Sequence, residues 1–179
     1  MAEDQTEDTS EDSLDGWSTR VTEPPRDPGG GSVCAAFGRN DGAKAKDLNF
    51  VEAASAPIVA VTAWQMLFDY ARVTAGQTVL IHGAAGNVGA YTVQLARQAG
   101  LHVVATASSA DLEYVRRLGA ERVVDYRAER FEESATGVDV VLDTVGGETQ
   151  QRSLRVLKPG GILVSSVSPV SETAQERYG

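Results

Sequence analysis

The chain has 179 residues, a formal net charge of −9 and a single cysteine, Cys34. One cysteine excludes an intrachain disulfide and is typical of a reduced, cytoplasmic protein, while an acidic balance without a basic stripe argues against nucleic acid as a partner. No apolar run approaches the roughly 18 residues of a membrane-spanning helix, so we expect no membrane association.

The amino-terminal segment differs in composition from the rest of the chain. Residues 1–31 hold nine acidic and two basic residues, three prolines and three consecutive glycines. A segment with so few apolar side chains cannot offset the entropy cost of ordering, and its acidic start is unlike a secretory signal. We predict a disordered acidic tail and linker over residues 1–46, followed by one domain over residues 47–179. An acidic interaction tail is the alternative interpretation.

Two helices are predicted before the first strand. The first covers residues 48–56, and the second covers residues 58–71 with Pro57 in its first turn, where a missing N–H costs no hydrogen bond. From residue 78 the chain alternates between short apolar strands and helices. Strands are predicted at 78–82, 102–107, 122–125, 138–143 and 161–166, and helices at 87–99, 111–118, 129–134 and 149–157.

This alternation predicts the fold. Strands separated by helices form parallel βαβ units with right-handed crossovers, and strands that are apolar throughout are covered on both faces. We therefore predict an α/β fold, a Rossmann-type doubly wound parallel sheet. Five strands are predicted where a full dinucleotide fold has six, so the sheet is expected to be truncated to about five strands.

A glycine-rich turn lies between the first predicted strand and its helix, with the pattern G-x-x-G-x-x-G at Gly83, Gly86 and Gly89. A helix that begins near Asn87 presents unpaired N–H groups and a partial positive charge at its first turn. Gly86 would let a pyrophosphate approach without meeting a Cβ, and Gly89 would let the helix lie close on the strand. The pattern predicts dinucleotide binding; a turn that uses glycine only for packing is the alternative.

The end of the second strand indicates which dinucleotide is bound. Residues 107–109 read Ala-Ser-Ser, without the acidic residue that holds the ribose 2′-hydroxyl of NAD. Small hydroxyl residues leave room for a 2′-phosphate, and we interpret the nearby Asp111 as first-turn helix chemistry. Tyr126 and Arg127 could supply a phenol and a positive charge, although surface exposure alone explains Arg127 equally well. We predict NADP(H), with NADPH bound at least roughly tenfold more tightly than NADH.

Several further motifs accompany the glycine turn. They lie at residues 62–64 (Thr-Ala-Trp), 118–120 (Leu-Gly-Ala), 124–127 (Val-Asp-Tyr-Arg), 143–147 (Asp-Thr-Val-Gly-Gly) and 157–161 (Leu-Lys-Pro-Gly-Gly). With residues 79–89, they resemble the medium-chain dehydrogenase/reductase superfamily and, more narrowly, its zinc-free quinone oxidoreductase (zeta-crystallin-like) branch. The resemblance covers residues 47–179 and implies the cofactor-binding domain only.

The resemblance implies an enzyme that transfers hydride from NADPH to a quinone or an α,β-unsaturated carbonyl compound. It assigns the pyrophosphate to Ala85, Gly86, Asn87, Val88 and Gly89. It assigns the adenosine ribose phosphate to Ser108 and Tyr126, and the nicotinamide half to Gly146, Ser166 and Val167, with Thr62 near the ring. Helical packing is the alternative role for Thr62.

The resemblance also implies what this chain lacks. Family members carry an amino-terminal catalytic domain and a sixth strand that commonly pairs subunits into homodimers, so we expect no catalytic residue and no pairing strand here. Cys34, His82 and His102 are the only soft metal ligands and have no clustered spacing, so no metal is expected. His82 is predicted to pack or bond locally.

Two functions therefore stay open. The chain represents an NADP-dependent oxidoreductase through its cofactor domain, or it is a non-catalytic dinucleotide-binding fragment with no turnover of its own. A methyltransferase is disfavoured because His82 and Gly83 stand where an acidic residue would close the first strand. A short-chain dehydrogenase is disfavoured because no tyrosine begins a Tyr-x-x-x-Lys pattern.

Overall fold

The computed structural model describes residues 50–169, with side chains described from residue 54 onward. The predicted disordered tail and the last ten residues lie outside the described residues. The predicted domain boundary at residue 46 lies there as well.

Five parallel strands form a single sheet. They are β1 (Thr78–Ile81), β2 (His102–Ala107), β3 (Arg122–Asp125), β4 (Val138–Asp143) and β5 (Leu157–Ser165). Their order is β3-β2-β1-β4-β5, and every neighbouring pair is parallel. This order is that of a doubly wound Rossmann-type sheet and confirms the predicted fold.

The last strand begins earlier than predicted, at Leu157 rather than at residue 161. Leu157 already pairs with Val138, and the register then shifts so that Ile162 pairs with Val140. The residues between, Lys-Pro-Gly-Gly, form the irregularity, which accommodates a proline that cannot donate to the sheet. The helix before it covers Gly147–Ser153, so it begins two residues and ends four residues earlier than predicted.

The helices are α1 (Phe50–Trp64), α2 (Asn87–Gln98), α3 (Leu112–Leu118), α4 (Phe131–Ser134) and α5 (Gly147–Ser153). The predicted break at Pro57 is wrong, because α1 runs through Pro57 and continues as a π-helical turn, Gln65–Tyr70. Pro57 lies on the exposed side of α1. Water can reach this side of the helix, which lowers the cost of the hydrogen bond that the proline ring removes.

Both faces of the sheet are buried, as the apolar strands predicted. Val79 and Ile81 of β1 belong to a core cluster that includes residues of α1, α2 and α3, whereas Leu80 belongs to a second cluster with Phe131 of α4 and Val141. Alternate residues of one strand therefore pack on opposite layers of helices. This sandwich leaves the carboxyl edge of the sheet open to a ligand.

Candidate functional site

The carboxyl ends of all five strands meet at one edge of the sheet. In open α/β sheets, ligands bind outside this edge where the strand order reverses, which here is between β1 and β4. We call residues 82–89 together with residues 143–146 the glycine corner, because they flank that point. The Thr144 hydroxyl joins the two halves by donating to the His82 carbonyl oxygen at 2.8 Å.

Two of the three glycines are required by the protein's own packing. Gly83 has φ +68°, and a Cβ there would overlap the Thr144 hydroxyl oxygen. A Cβ on Gly89 would overlap the Gly83 carbonyl oxygen and lie 2.8 Å from Ala84 Cα. Gly89 therefore lets α2 press against the glycine turn itself, a closer contact than the strand packing expected from the sequence.

Gly86 is different, because the fold demands glycine there less strongly than at Gly83 or Gly89. Its backbone is extended, with φ −74° and ψ 170°, and a Cβ would meet only the Gly83 carbonyl oxygen, at 3.2 Å. The residue is exposed. The space that its missing side chain leaves open faces solvent at the start of α2, where an approaching phosphate group would fit.

The first turn of α2 is available to an anion. Its first intrahelical bond runs from Ala90 N–H to the Gly86 carbonyl oxygen at 2.8 Å, so the N–H groups of Asn87, Val88 and Gly89 have no helical acceptor. No side chain caps this end of the 12-residue helix, and no acidic residue lies in its first turn. The positive end of the helix dipole is therefore uncompensated.

A cleft of about 180 Å³ opens beside this helix end. Three residues predicted to bind pyrophosphate, Ala85, Gly86 and Asn87, form part of its wall. Its other lining residues come from α1 and the flanking helices: Ser55, Val59, Ala90, Tyr91 and Tyr114.

A second group of predicted residues lies at the ends of β2 and β3; we call Ser108, Asp111, Tyr126 and Arg127 the ribose corner. The two strand ends are joined by Tyr126 N–H, which donates to the Ala107 carbonyl oxygen at 3.2 Å. The Tyr126 side chain is 55% exposed, and the Arg127 guanidinium lies 5.6 Å from the centre of its ring. Ser108 and Tyr126 are thus neighbours at one corner of the sheet edge.

Asp111 lies at the start of a helix, as expected, but its side chain does not cap that helix. It occupies the position before the first residue of α3, yet its side chain makes no capping hydrogen bond. Its carboxylate instead accepts a hydrogen bond from the Ser108 hydroxyl at 2.5 Å. The carboxylate therefore bonds to the serine hydroxyl and not to the helix backbone.

The residues predicted for the nicotinamide half also come together. Gly146 has φ +77°, and a Cβ there would lie 3.1 Å from a methyl group of Val167. Ser166 N–H donates to the Asp143 carbonyl oxygen at 3.0 Å. All three residues therefore surround the carboxyl ends of β4 and β5.

Asp143 organises this region, and the sequence reasoning missed its role. Its side chain is fully buried, and one oxygen accepts from the N–H groups of Val145 and Gly146 at 2.9 and 2.8 Å. The other oxygen accepts from the Gln150 amide at 3.2 Å and the Ser165 hydroxyl at 3.0 Å. An aspartate closing an apolar strand before Thr-Val-Gly-Gly is the sequence signal, since such side chains bond to backbone N–H groups two residues on.

His82 bonds locally, as predicted. The Ser153 hydroxyl donates to the Thr149 carbonyl oxygen at 2.6 Å, so it accepts from His82 Nε2 at 2.8 Å. The other ring nitrogen, Nδ1, then accepts from Thr106 at 3.1 Å. Burial lowers the pKa of His82 from 6.5 to about 4, so the ring is neutral at pH 7.

Thr62 is not among the residues that line the cleft. Its hydroxyl donates to the Ile58 carbonyl oxygen of its own helix at 2.8 Å. Its proposed position near a nicotinamide ring stays a prediction.

The order of strands sets the order of the predicted site residues. From one side of the sheet to the other, the carboxyl edge presents Tyr126 after β3, Ser108 after β2 and the glycine turn after β1, followed by Gly146 after β4 and Ser166 after β5. This is the order of ribose phosphate, pyrophosphate and nicotinamide in an extended dinucleotide.

Comparison with known proteins agrees with this architecture. The family model described as zinc-binding dehydrogenase matches residues 87–174. The quinone oxidoreductase of Coxiella burnetii is 38% identical with a TM-score of 0.71, over 75% of this chain and 44% of that one. A structure described as an enoyl reductase domain of a polyketide synthase is 35% identical with a TM-score of 0.58, over 68% of this chain and 74% of that one. The chain belongs to the medium-chain dehydrogenase/reductase superfamily.

It corresponds to part of the cofactor-binding region of that superfamily, whose members use nicotinamide cofactors. The spectinabilin polyketide synthase system protein NorB of Streptomyces orinoci is 46% identical over 123 residues, which are 66% of this chain and 6% of NorB. The chain thus spans a small part of the polyketide synthases and less than half of the quinone oxidoreductase that it matches.

The family model's description names zinc, but residues 54–169 contain no group of three side chains that could hold a metal ion. Zinc independence stays a prediction, since Cys34 lies outside the described residues.

Among the helices described, none is both long and apolar enough to cross a membrane. The cytoplasmic location likewise stays a prediction.

Proposed function

We propose that this chain binds NADP(H) and forms the cofactor-binding portion of a reductase that acts on quinones or other α,β-unsaturated carbonyl compounds. One observation carries the proposal: Gly86, where a Cβ would meet only one backbone oxygen of the protein, leaves open space at an uncapped helix end beside the reversal of strand order. A helix end of this kind is an anion-binding site, and its place in the sheet is that of a dinucleotide pyrophosphate.

Each part of the carboxyl edge has a role in this proposal. The N–H groups of Asn87, Val88 and Gly89 would donate to the pyrophosphate. The ribose corner would hold the 2′-phosphate through Ser108 and Tyr126, with Arg127 supplying positive charge. Gly146, Ser166 and Val167 would line the nicotinamide half, which supplies hydride when the cofactor is bound.

The names of the relatives support the substrate class. Besides the quinone oxidoreductase and the enoyl reductase domain, the 2-methylene-furan-3-one reductase of Solanum lycopersicum is 37% identical over 70% of this chain and 33% of its own length. Each name refers to a carbonyl compound conjugated with a carbon–carbon double bond. The alternative is dinucleotide binding without turnover. It is tested by NADPH oxidation with 9,10-phenanthrenequinone, for which we expect no appreciable activity from the chain alone.

The binding proposal is tested by fluorescence titration with NADPH. Gly86→Val places two methyl groups where the pyrophosphate would approach, so we expect affinity to fall at least about a hundredfold. Ala75→Val is the matched control, because Ala75 is exposed and precedes β1 at the opposite edge of the sheet. Unchanged affinity of the Gly86→Val chain would mean that the glycine turn is only a packing device. Equal affinities of the natural chain for NADPH and NADH would contradict the choice of NADP(H).

A further inference from the structure

The contact between Ser108 and Asp111 places a carboxylate where the proposed function needs a phosphate. Ser108 follows β2 directly, at the position that contacts the 2′ substituent of the adenosine ribose in dinucleotide folds. Its hydroxyl donates to Asp111 at 2.5 Å, and both side chains are partly exposed. A group that reaches Ser108 from solvent therefore also meets Asp111.

NADPH and NADH would interact differently with the Ser108–Asp111 pair. A serine hydroxyl has one proton to donate, and Asp111 already accepts it. A 2′-phosphate carries only acceptor oxygens that compete for that proton, and its negative charge is repelled by the carboxylate. The 2′-hydroxyl of NADH is itself a donor, so it can bond to either oxygen without breaking the Ser108–Asp111 contact.

We propose, on the basis of the function proposed above, that Asp111 is a specificity-determining residue that limits the preference of this chain for NADPH over NADH. Its effect opposes that of Arg127, whose guanidinium is exposed and lies over the Tyr126 ring. The neighbouring Asp125 is buried, and one of its oxygens accepts from Arg127 N–H at 3.0 Å. Asp111 is thus the carboxylate of this corner that a ligand can reach.

The experiment measures the dissociation constants of NADPH and NADH for the natural chain and three variants. Asp111→Asn keeps the size of the side chain and an oxygen that accepts from Ser108 but removes the charge. We expect it to raise the preference for NADPH about tenfold, because it removes one charge that repels the 2′-phosphate. Asp111→Glu keeps the charge, so its preference should stay within about threefold of the natural chain.

Glu113→Gln is the matched control for charge. Glu113 lies in the first turn of α3 and pairs with Arg116 at 3.8 Å, and among the described residues it makes no hydrogen bond to Ser108. Its neutralisation removes the same charge from the same helix, and the preference should stay unchanged. A purely structural role for Asp111 would change both affinities together and leave their ratio constant.

The outcomes separate this inference from the proposed function. An unchanged ratio for Asp111→Asn, or an equal rise for Glu113→Gln, overturns the inference and leaves dinucleotide binding in place. Failure of the natural chain to bind either dinucleotide overturns the proposed function and the inference with it.

Discussion

The glycine corner and the ribose corner lie on the same edge of the sheet but are built in different ways. The glycine corner is fixed by backbone contacts: glycines 83 and 89 have no room for a Cβ, and Asp143 is fully buried among four donors. The ribose corner consists of partly exposed side chains, with one short contact between Ser108 and Asp111. The fold therefore fixes the backbone of the proposed phosphate site, whereas the proposed cofactor selectivity depends on a few side chains that the fold constrains less.

The largest expected effect comes from removing one carboxylate from each corner. Asp143→Ala leaves buried backbone and side-chain donors without an acceptor, so we expect the free energy of unfolding to fall by at least about 3 kcal/mol. Asp111→Ala removes one contact that water can replace and should cost under about 1 kcal/mol. Urea unfolding followed by circular dichroism measures both values. Similar losses for the two variants would break the distinction between the corners.

A smaller effect is expected within the glycine corner itself. Gly83→Ala forces an L side chain into a left-handed conformation and displaces the Thr144 hydroxyl, which together should cost about 2 kcal/mol of stability. Gly86→Ala meets a single backbone oxygen at 3.2 Å and should cost under about 1 kcal/mol. Thermal and urea unfolding of the two variants compares them directly. Equal destabilisation would show that the fold requires Gly86 for packing, which contradicts an open anion site at this position.

A fall in pH should lower the free energy of unfolding through protonation of His82 in the glycine corner. The unfolded chain has a histidine of pKa 6.5, whereas burial lowers the folded pKa to about 4, so the unfolded state binds a proton that the folded state does not. Stability is full above pH 6.5 and falls as the pH drops towards 4, with about 2 kcal/mol lost by pH 5. Unfolding at pH 7.5 and 5.0 measures this loss.

His102 provides the control for this pH dependence. It is exposed and pairs with Glu121 at 3.1 Å on the opposite edge of the sheet. His82→Gln should abolish most of the difference between the two pH values, and His102→Gln should leave it in place. The reverse result would place the titrating group outside the glycine corner.

The sequence predicted the parts of the fold that depend on local patterns. Strands β2, β3 and β4 have the predicted bounds because each is an apolar run ended by polar or small residues. The glycine turn was recognisable because its geometry is a backbone property. The break at Pro57 was wrongly predicted because local preference ignores whether solvent can compensate for a missing hydrogen bond.

The parts that could not be predicted depend on contacts between distant residues. The role of Asp143 requires the register of β4 against β5, which brings Ser165 beside it. The bond between Ser108 and Asp111 depends on which donor the carboxylate takes, a helix N–H or the serine hydroxyl. A pattern of residue types places both residues near the site but does not decide which bond forms.

The smallest expected effect concerns the positive charge of the ribose corner. Arg127→Gln removes an exposed charge, so NADPH affinity should fall only about threefold while NADH affinity and stability stay unchanged. Arg117→Gln, which removes another exposed arginine in the last turn of α3, is the charge-matched control and should change neither affinity. Titration at low and high salt adds a second measurement, since screening should reduce the effect of Arg127.

A tenfold or larger loss of NADPH affinity would mean that Arg127 is held as rigidly as the glycine corner. Its exposed position over the Tyr126 ring does not provide such rigidity. If no NADPH affinity is lost, Ser108 and Tyr126 would be the residues that recognise the 2′-phosphate. The selectivity of this corner would then depend on attraction by their neutral donors and repulsion by the charge of Asp111.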